Sequence, residues 1–265
     1  MLLSDSLVII PTYNEKENIE KIIRRVFSLP DEFHILIVDD GSPDGTAHIV
    51  KHLQGEFAGK LHIEERKGKL GLGTAYIHGF HWALNRNYDF IFEMDADFSH
   101  KPKDLIRLKE ACKNGADLAI GSRYIKGVNV VNWPMSRVLM SYFASVYVRL
   151  ITGIDIQDAT AGFKCYRRIV LETIELNKIK FIGYAFQIEM KFTAIQHGFN
   201  VVEIPIIFTD RTEGTSKMST RIFREAFLGV IQIKINSWVR KYPKAGNTVT
   251  PKPIIENREI RNLGV

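Results

Sequence analysis

Cysteine is nearly absent: Cys112 and Cys165 are the two in a chain of 265 residues. They stand in unrelated contexts with no C-x-x-C spacing, which excludes a disulfide framework and a zinc site and suits a reducing compartment. Long apolar runs are missing too. Crossing a bilayer takes about 20 mostly apolar residues, whereas the longest stretches, around Val138 to Ile151 and Ala226 to Ile235, are short and broken by Arg149 or Lys234. No transmembrane helix is expected. The opening residues MLLSDSLVII lack a basic n-region and a small-residue cleavage site, so no signal peptide is expected either. Glycine is absent from the first strand-to-helix turn, PTYNEKEN, where a G-x-G-x-x-G dinucleotide fingerprint would belong. Gly68-Lys69-Leu70-Gly71-Leu72-Gly73 has its glycines in the wrong order for that fingerprint, and no Ser or Thr follows Lys69 as a P-loop requires. This run reads as a flexible turn before a helix or as a loop facing a substrate.

What the chain does hold is a globular balance, 45% hydrophobic and 25% charged. That supports a sizeable core, as one large α/β domain or one domain with a short appendage. The net charge of +6 is unevenly spread. Arg211, Lys217, Arg221, Arg224, Lys234, Arg240 and Lys241 meet only Glu213 and Glu225 within one stretch, which points to an anionic partner near the C-terminal end. No aromatic-basic platform accompanies this local charge, so a nucleic-acid partner is not expected.

Short apolar runs alternate with helical patterns through the first two-thirds. Strands are expected at Leu7 to Pro11, Phe33 to Asp39, Leu61 to Glu65, Phe90 to Asp95 and Asp117 to Gly121. Between the first two, Ile19, Ile22, Ile23, Val26 and Phe27 fall at helical spacing, and Asn14 with Glu17 resembles a capping box opening a helix that runs to Leu29. Further helices near Asp44 to Leu53, Gly73 to Asn85 and Pro102 to Lys113 complete the alternation. It predicts an α/β fold, a doubly wound, mainly parallel sheet flanked by helices. After Tyr124 the spacing predicts amphipathic helices over Met135 to Ile151 and Tyr184 to His197, and a strand from Val201 to Phe208 interrupted by Pro205. One or two helices follow from Ser219 to Lys241, and from Tyr242 the chain reads as a mobile end.

In open parallel sheets, ligands bind beyond the carboxyl ends of the strands. That rule gathers PTYNE (Pro11 to Glu15), VDDGSPDGT (Val38 to Thr46), EMDADFSH (Glu93 to His100) and GSRY (Gly121 to Tyr124). On an extended segment Asp95 and Asp97 would point the same way, and two such carboxylates repel unless a cation lies beside them. A hard divalent ion, Mg²⁺ or Mn²⁺, is the economical answer. Mg²⁺ is usually held by one or two carboxylates plus substrate phosphates. A bound diphosphate is therefore expected.

Together, PTYNE, VDDGSPDGT, KLGLGTAYIHG, MDADFSH, GSRY, the turn DATAGF at Asp158 to Phe163, FQIE at Phe186 to Glu189 and RTEGTSK at Arg211 to Lys217 resemble the dolichyl-phosphate mannose synthases. These are inverting members of glycosyltransferase family 2 with a GT-A fold. The likeness runs in order from Leu7 to Lys217. PTYNE and DxD mark the broad family, whereas KLGLGTAYIHG with Arg-x-x-Gly-x-Ser-Lys is closer to the polyprenyl-phosphate branch.

The resemblance implies a GT-A domain over 1–217, C-terminal amphipathic interface helices over 218–241 and a mobile tail over 242–265. Pro11, Tyr13, Glu15, Val38 and Asp40 would hold the nucleoside, and Asp95, Ala96 and Asp97 would contact the nucleotide and metal, with Asp95 and Asp97 as metal ligands. Arg123, Arg211 and Lys217 would bind phosphates of donor and acceptor, with Arg137 a further candidate, and these three with Asp97 would carry catalysis. The archaeal-type pattern places Gln two residues after the second Asp as a further ligand; Ser99 stands there in this chain. The implied reaction moves mannose from GDP-mannose to a polyprenyl phosphate, on the cytoplasmic face of a membrane. Such an acceptor, with a second pKa of about 6, is largely a dianion at pH 7 and requires no general base, which makes His100 a neighbour of the chemistry. Asp158 and Glu189 read as site residues or as capping and pairing groups. Glucose transfer from UDP-glucose, and a non-catalytic nucleotide-sugar- or lipid-binding protein, are the alternatives. A membrane-spanning partner protein is compatible with the lack of spans.

Overall fold

The computed structural model describes residues 4–210 and 220–244, with side chains in the last segment from Phe227 onward. The first half forms β1 (Ser6–Thr12), α1 (Ile19–Phe27), β2 (His34–Asp39), α2 (Thr46–Leu53), β3 (Leu61–Glu65), α3 (Leu72–Leu84), β4 (Phe90–Glu93), α4 (Asp104–Lys113) and β5 (Leu118–Ser122). Then follow β6 (Val130–Val131), α5 (Met135–Thr152), β7 (Lys164–Arg167), α6 (Arg168–Thr173), a 3₁₀ turn at Leu176–Lys178, α7 (Tyr184–Gln196), β8 (Val201–Pro205), β9 (Phe208–Thr209) and α8 (Thr220–Val239).

Seven strands make one sheet in the order β3-β2-β1-β4-β7-β5-β8. Strands β1 and β2 are near-continuous apolar runs, as buried parallel strands must be, because helices cover both faces. Side chains alternate between two cores. Val8, Ile10, Ile35 and Ile37 face α1, α2 and α4, while Leu7, Ile9, Leu36 and Val38 face α3 and α7. The expected doubly wound, mainly parallel sheet is therefore present. The pairing of β1 with β2 and β4, and of β2 with β3, is parallel.

The departures have local causes. Strand β7 was not anticipated: four residues long, it inserts antiparallel between β4 and β5, pairing Glu93 with Lys164 and Ile120 with Lys164. Strand β4 ends at Glu93, two residues short of expectation. Asn14 does not cap a helix. It sits at φ 56° in a bracket of loop contacts, and α1 starts at Ile19. The run from Val201 splits at Pro205, and Phe208–Thr209 pairs instead with β6 in a separate two-stranded sheet. Where one or two helices were expected, the described residues form one, α8 (Thr220–Val239). Its Val230 and Ile233 enter the larger core, and Lys234 Nζ donates to the Thr152 carbonyl at the end of α5. Tyr242, read as the start of a tail, packs edge-on against Phe192 and His197. Residues 245–265 lie outside the described residues.

Candidate active site

The parallel register brings Thr12, Asp39 and Glu65 to one edge, with the turn after β4 and the end of β5 beside them. The loop after β1 is clamped to the loop after β2 by three backbone N–H groups: Asn14 donates to Ser42 Oγ, Glu15 to Thr46 Oγ1 and Lys16 to Asp44 Oδ2, at 3.0 to 3.1 Å. Asp39 ties the strand ends together, accepting from Thr12 Oγ1 at 2.8 Å and from the Ser42 N–H and hydroxyl at 2.8 and 2.6 Å. Asp40 is buried and bound by Arg66, whose Nε and Nη2 lie 2.6 and 2.5 Å from Oδ1, while the Leu70 N–H reaches Oδ2. Sequence reading missed Arg66. It stands in the loop between β3 and α3, with no spacing that announces an ion pair to Asp40.

Pro11, Tyr13 and Glu15 are partly exposed along this edge. Val38 is fully buried in the larger core, so only its backbone faces the loops. Lys69 lies over the Tyr13 ring, 4.9 Å from its centre, which brings the Gly68 to Gly73 run to the same corner. Its glycines also have a packing cause: a Cβ on Gly73 would stand 2.8 Å from the Phe186 ring. That run is thus both a tight turn onto α3 and a loop at the site.

Beyond β4 the chain does not stay extended. Phe98 has φ 59°, and Asp95 and Asp97 lie in the turn with different exposure, Asp95 partly exposed and Asp97 buried. The premise that both project alike from a strand is corrected, because the strand ends at Glu93 and the chain turns before Asp97. Asp97 Oδ1 accepts the Ser99 N–H at 3.1 Å, which orients it. Behind them, Glu93 is fully buried, receiving Lys164 Nζ at 3.0 Å, Tyr166 Oη at 2.7 Å and Gln187 Nε2 at 2.8 Å; Lys164 also bonds Gln187 Oε1. Burial lowers the Lys164 ammonium, and the charge of Glu93 opposes that shift.

His100 is buried, stacked on Phe163 at 4.9 Å and edge-on to Phe208 at 5.3 Å. Its Nδ1 has no hydrogen-bond partner among the described residues and lies 3.8 Å from Asp95 Oδ2. Burial pushes its pKa down to about 4. A packed, neutral imidazole is a wall of the site. General-base catalysis contributes about 10²- to 10⁴-fold, so His100→Ala should keep the transfer rate within about tenfold of wild type. A loss of roughly a thousandfold in a nucleotide-release assay would overturn that assignment.

Arg123, at the end of β5, is held by Asp158: Nε to Oδ2 at 2.7 Å, Nη2 to Oδ1 at 2.6 Å, and its own N–H to Oδ2 at 2.9 Å. Both side chains are buried. Burial alone would raise the Asp158 carboxyl, but Arg123 outweighs it and holds the group below the usual range. Lys191 of α7 fixes the same turn from behind, donating to the Ala159 and Ala161 carbonyls at 2.8 and 2.7 Å. Asp158 is thus seen in an ion pair with Arg123. Glu189 likewise caps backbone, its Oε2 accepting the Lys180 and Phe181 N–H groups.

The small β6–β9 sheet adds residues the sequence did not announce. Trp133 and Phe208 stand 5.4 and 5.5 Å from the Arg123 guanidinium, and Arg137 lies 4.1 Å from the Trp133 ring while paired with Asp210 at 3.0 Å. Two-residue strands leave no periodicity to read. Arg211 and Lys217 lie outside the described residues. Next to this sheet, α5 exposes Met135, Leu139, Met140, Tyr142 and Phe143, and α8 exposes Phe227, Leu228, Ile235, Trp238 and Val239. The two helices meet where Tyr147 stacks on Phe227 at 4.5 Å. Helix α8 therefore packs by one face and exposes another. No helix among the described residues is long and apolar enough to cross a membrane.

Among the described residues no group of three or more His, Cys, Asp and Glu forms a metal cage. The turn after β4 carries two carboxylates, Asp95 and Asp97, a pair of the kind that suits a hard cation whose remaining positions are filled by phosphate oxygens and water. A doubly wound sheet broken by one antiparallel strand, with paired aspartates after β4, is the GT-A arrangement of a glycosyltransferase. The glycosyl transferase family 2 profile matches residues 7–175, and the chain belongs to that family. It is 50% identical over 227 residues to polyprenol monophosphomannose synthase of Mycolicibacterium smegmatis, covering 86% of each chain. To undecaprenyl-phosphate mannosyltransferase of Micrococcus luteus it is 45% identical over 224 residues, 84% of this chain and 91% of the relative. Among solved structures, glucosyl-3-phosphoglycerate synthase of Mycobacterium tuberculosis in complex with Mn²⁺, UDP and glucosyl-3-phosphoglycerate superposes with a TM-score of 0.63. That match is 14% identical and covers 86% of this chain and 79% of the other.

Proposed function

We propose that the chain transfers mannose from GDP-mannose to a polyprenyl phosphate, with inversion, as a peripheral protein on the cytoplasmic face of a membrane. What carries this reading is the 50% identity, across 86% of both chains, to a polyprenol monophosphomannose synthase. In this proposal Pro11, Tyr13, Glu15, Asp40 and the backbone of Val38 border the nucleoside, and Asp95, Ala96 and Asp97 face its diphosphate. Asp95 and Asp97 would hold Mg²⁺ or Mn²⁺; the Mn²⁺ of the M. tuberculosis synthase supports a divalent ion. When bound, the ion supplies positive charge against the leaving diphosphate.

The protein's own groups do the rest. Arg123 is preset by Asp158 and Lys191, so its charge needs no reorganisation as the transition state forms. Trp133 and Phe208 narrow its surroundings and strengthen its field by excluding water. Arg211 and Lys217, outside the described residues, are assigned with Arg123 to the donor and acceptor phosphates. The acceptor is an oxyanion already, so nothing in the site has to take a proton. The apolar faces of α5 and α8 lie in the membrane interface. A membrane-spanning partner protein is compatible with this arrangement.

A donor panel tests the proposal: GDP-mannose and UDP-glucose, each with a short-chain polyprenyl phosphate, with and without chelator. GDP-mannose is expected to be consumed in a lipid- and metal-dependent way. Turnover of UDP-glucose alone favours glucose transfer, and tight metal-dependent binding with no turnover of either donor favours a non-catalytic role.

A further inference from the structure

A cavity of about 420 Å³ opens between the 3₁₀ turn, α7 and the end of α8, and shares no lining residue with the strand-end loops. Lys178, Lys180 and Arg240 line it together with Thr193, and Glu189 is its one acidic lining residue. Glu189 is occupied by two backbone N–H groups, and burial raises its carboxyl. Lys178 is turned to Glu175 at 2.7 Å on the exposed side. Arg240 is different. Its guanidinium lies 5.4 Å from the Tyr242 ring, while its Nε and Nη2 are buried with no hydrogen-bond partner among the described residues, as is Oγ1 of Thr193. Buried donors of a charged group left without acceptors are costly, and Arg240 and Thr193 line one cavity together with a further ammonium group, Lys180.

We propose that this cavity binds an esterified phosphate through Arg240, Lys180 and Thr193. Guanidinium, ammonium and hydroxyl donors arriving from three elements suit an oxyanion with three or more acceptor oxygens better than a two-oxygen carboxylate. The size supports an ester: a water's share of liquid volume is about 30 Å³, so a bare phosphate would leave most of the space empty. Val239 lines the cavity and is largely exposed, as is its neighbour Trp238. An apolar border beside a cationic pocket fits a phospholipid headgroup, while a soluble phosphate ester offers the same anion. The assignment goes beyond the transfer reaction and stands whichever sugar is carried.

Full-length protein is titrated with glycerol phosphate while its melting is followed, and is sedimented with phosphatidylcholine vesicles with and without phosphatidic acid. Glycerol phosphate should raise the wild-type melting temperature, and Arg240→Gln and Lys180→Gln should each weaken that binding roughly tenfold. Lys180 lies outside α8, so its variant reports on the cavity even if Arg240→Gln disturbs the helix end. Lys21→Gln, exposed on α1 and outside the cavity, should change nothing. Loss of phosphatidic-acid-dependent sedimentation in the same two variants assigns the site to a headgroup; loss of glycerol phosphate binding alone assigns it to a free ester. Wild-type protein that binds neither probe, or an equal loss in Lys21→Gln, overturns the proposal.

Discussion

Replacing Asp97 with Ala is expected to lower kcat by roughly a thousandfold or more and to leave a folded protein. The size follows from the charge that develops on the leaving diphosphate, for which a bound cation contributes several kcal/mol, at about 1.4 kcal/mol per tenfold of rate. Asp97 matters more than Asp95 in this respect because it is the less exposed of the two and is oriented by the Ser99 N–H. The same substitution removes one of two neighbouring like charges. Metal-free Asp97→Ala should therefore melt no lower than metal-free wild type, and Mn²⁺ should raise the melting temperature of wild type only. Undiminished, chelator-insensitive turnover by the variant would sink the metal assignment. A collapse in melting temperature would instead mark Asp97 as a structural group of the turn.

Much of this site was legible because parallel strands covered on both faces are continuous apolar runs, and the residues after each run form a loop at one edge. PTYNE, VDDGSPDGT, EMDADFSH and GSRY were located that way. Roles within the loops were less legible. Asp39 and Asp40 are adjacent in sequence, yet Asp39 fastens β1 to β2 and Asp40 is held by Arg66, a distinction that depends on partners more than 25 residues away. Asn14 and Glu17 had the spacing of a capping box, but the backbone N–H groups there are spent on the next loop, so tertiary contacts overrode a local signal. Ser99 stands where the archaeal-type pattern carries Gln; it is buried, and its N–H holds Asp97 in place. Helix α5 was visible as an amphipathic segment, but its exposed apolar face became apparent only once β6 and α8 placed it at the surface.

Strand β7 was the main element left unread, and it carries the second large prediction: Lys164→Met is expected to destabilise the protein by about 3–5 kcal/mol in urea titration, because it strands a buried carboxylate. KCYR has neither alternation nor an apolar run, since its first residue is an ammonium group whose partners are Glu93 on β4, Tyr166 beside it and Gln187 on α7. Removing Glu93 as well, as Glu93→Leu with Lys164→Met, should cost less than the two single changes added together, as expected for groups in one network. The charge has a reach beyond stability, because Lys164 pairs with Glu93, the last residue of β4, directly before the turn that carries Asp95 and Asp97. Without it the turn gains net negative charge, which should tighten Mn²⁺ binding and raise KM for the nucleotide sugar, whose diphosphate carries the same sign. A single substitution costing under about 1 kcal/mol would show that water or a rearranged Gln187 satisfies Glu93. Unchanged metal affinity with an unchanged KM would confine Lys164 to the core.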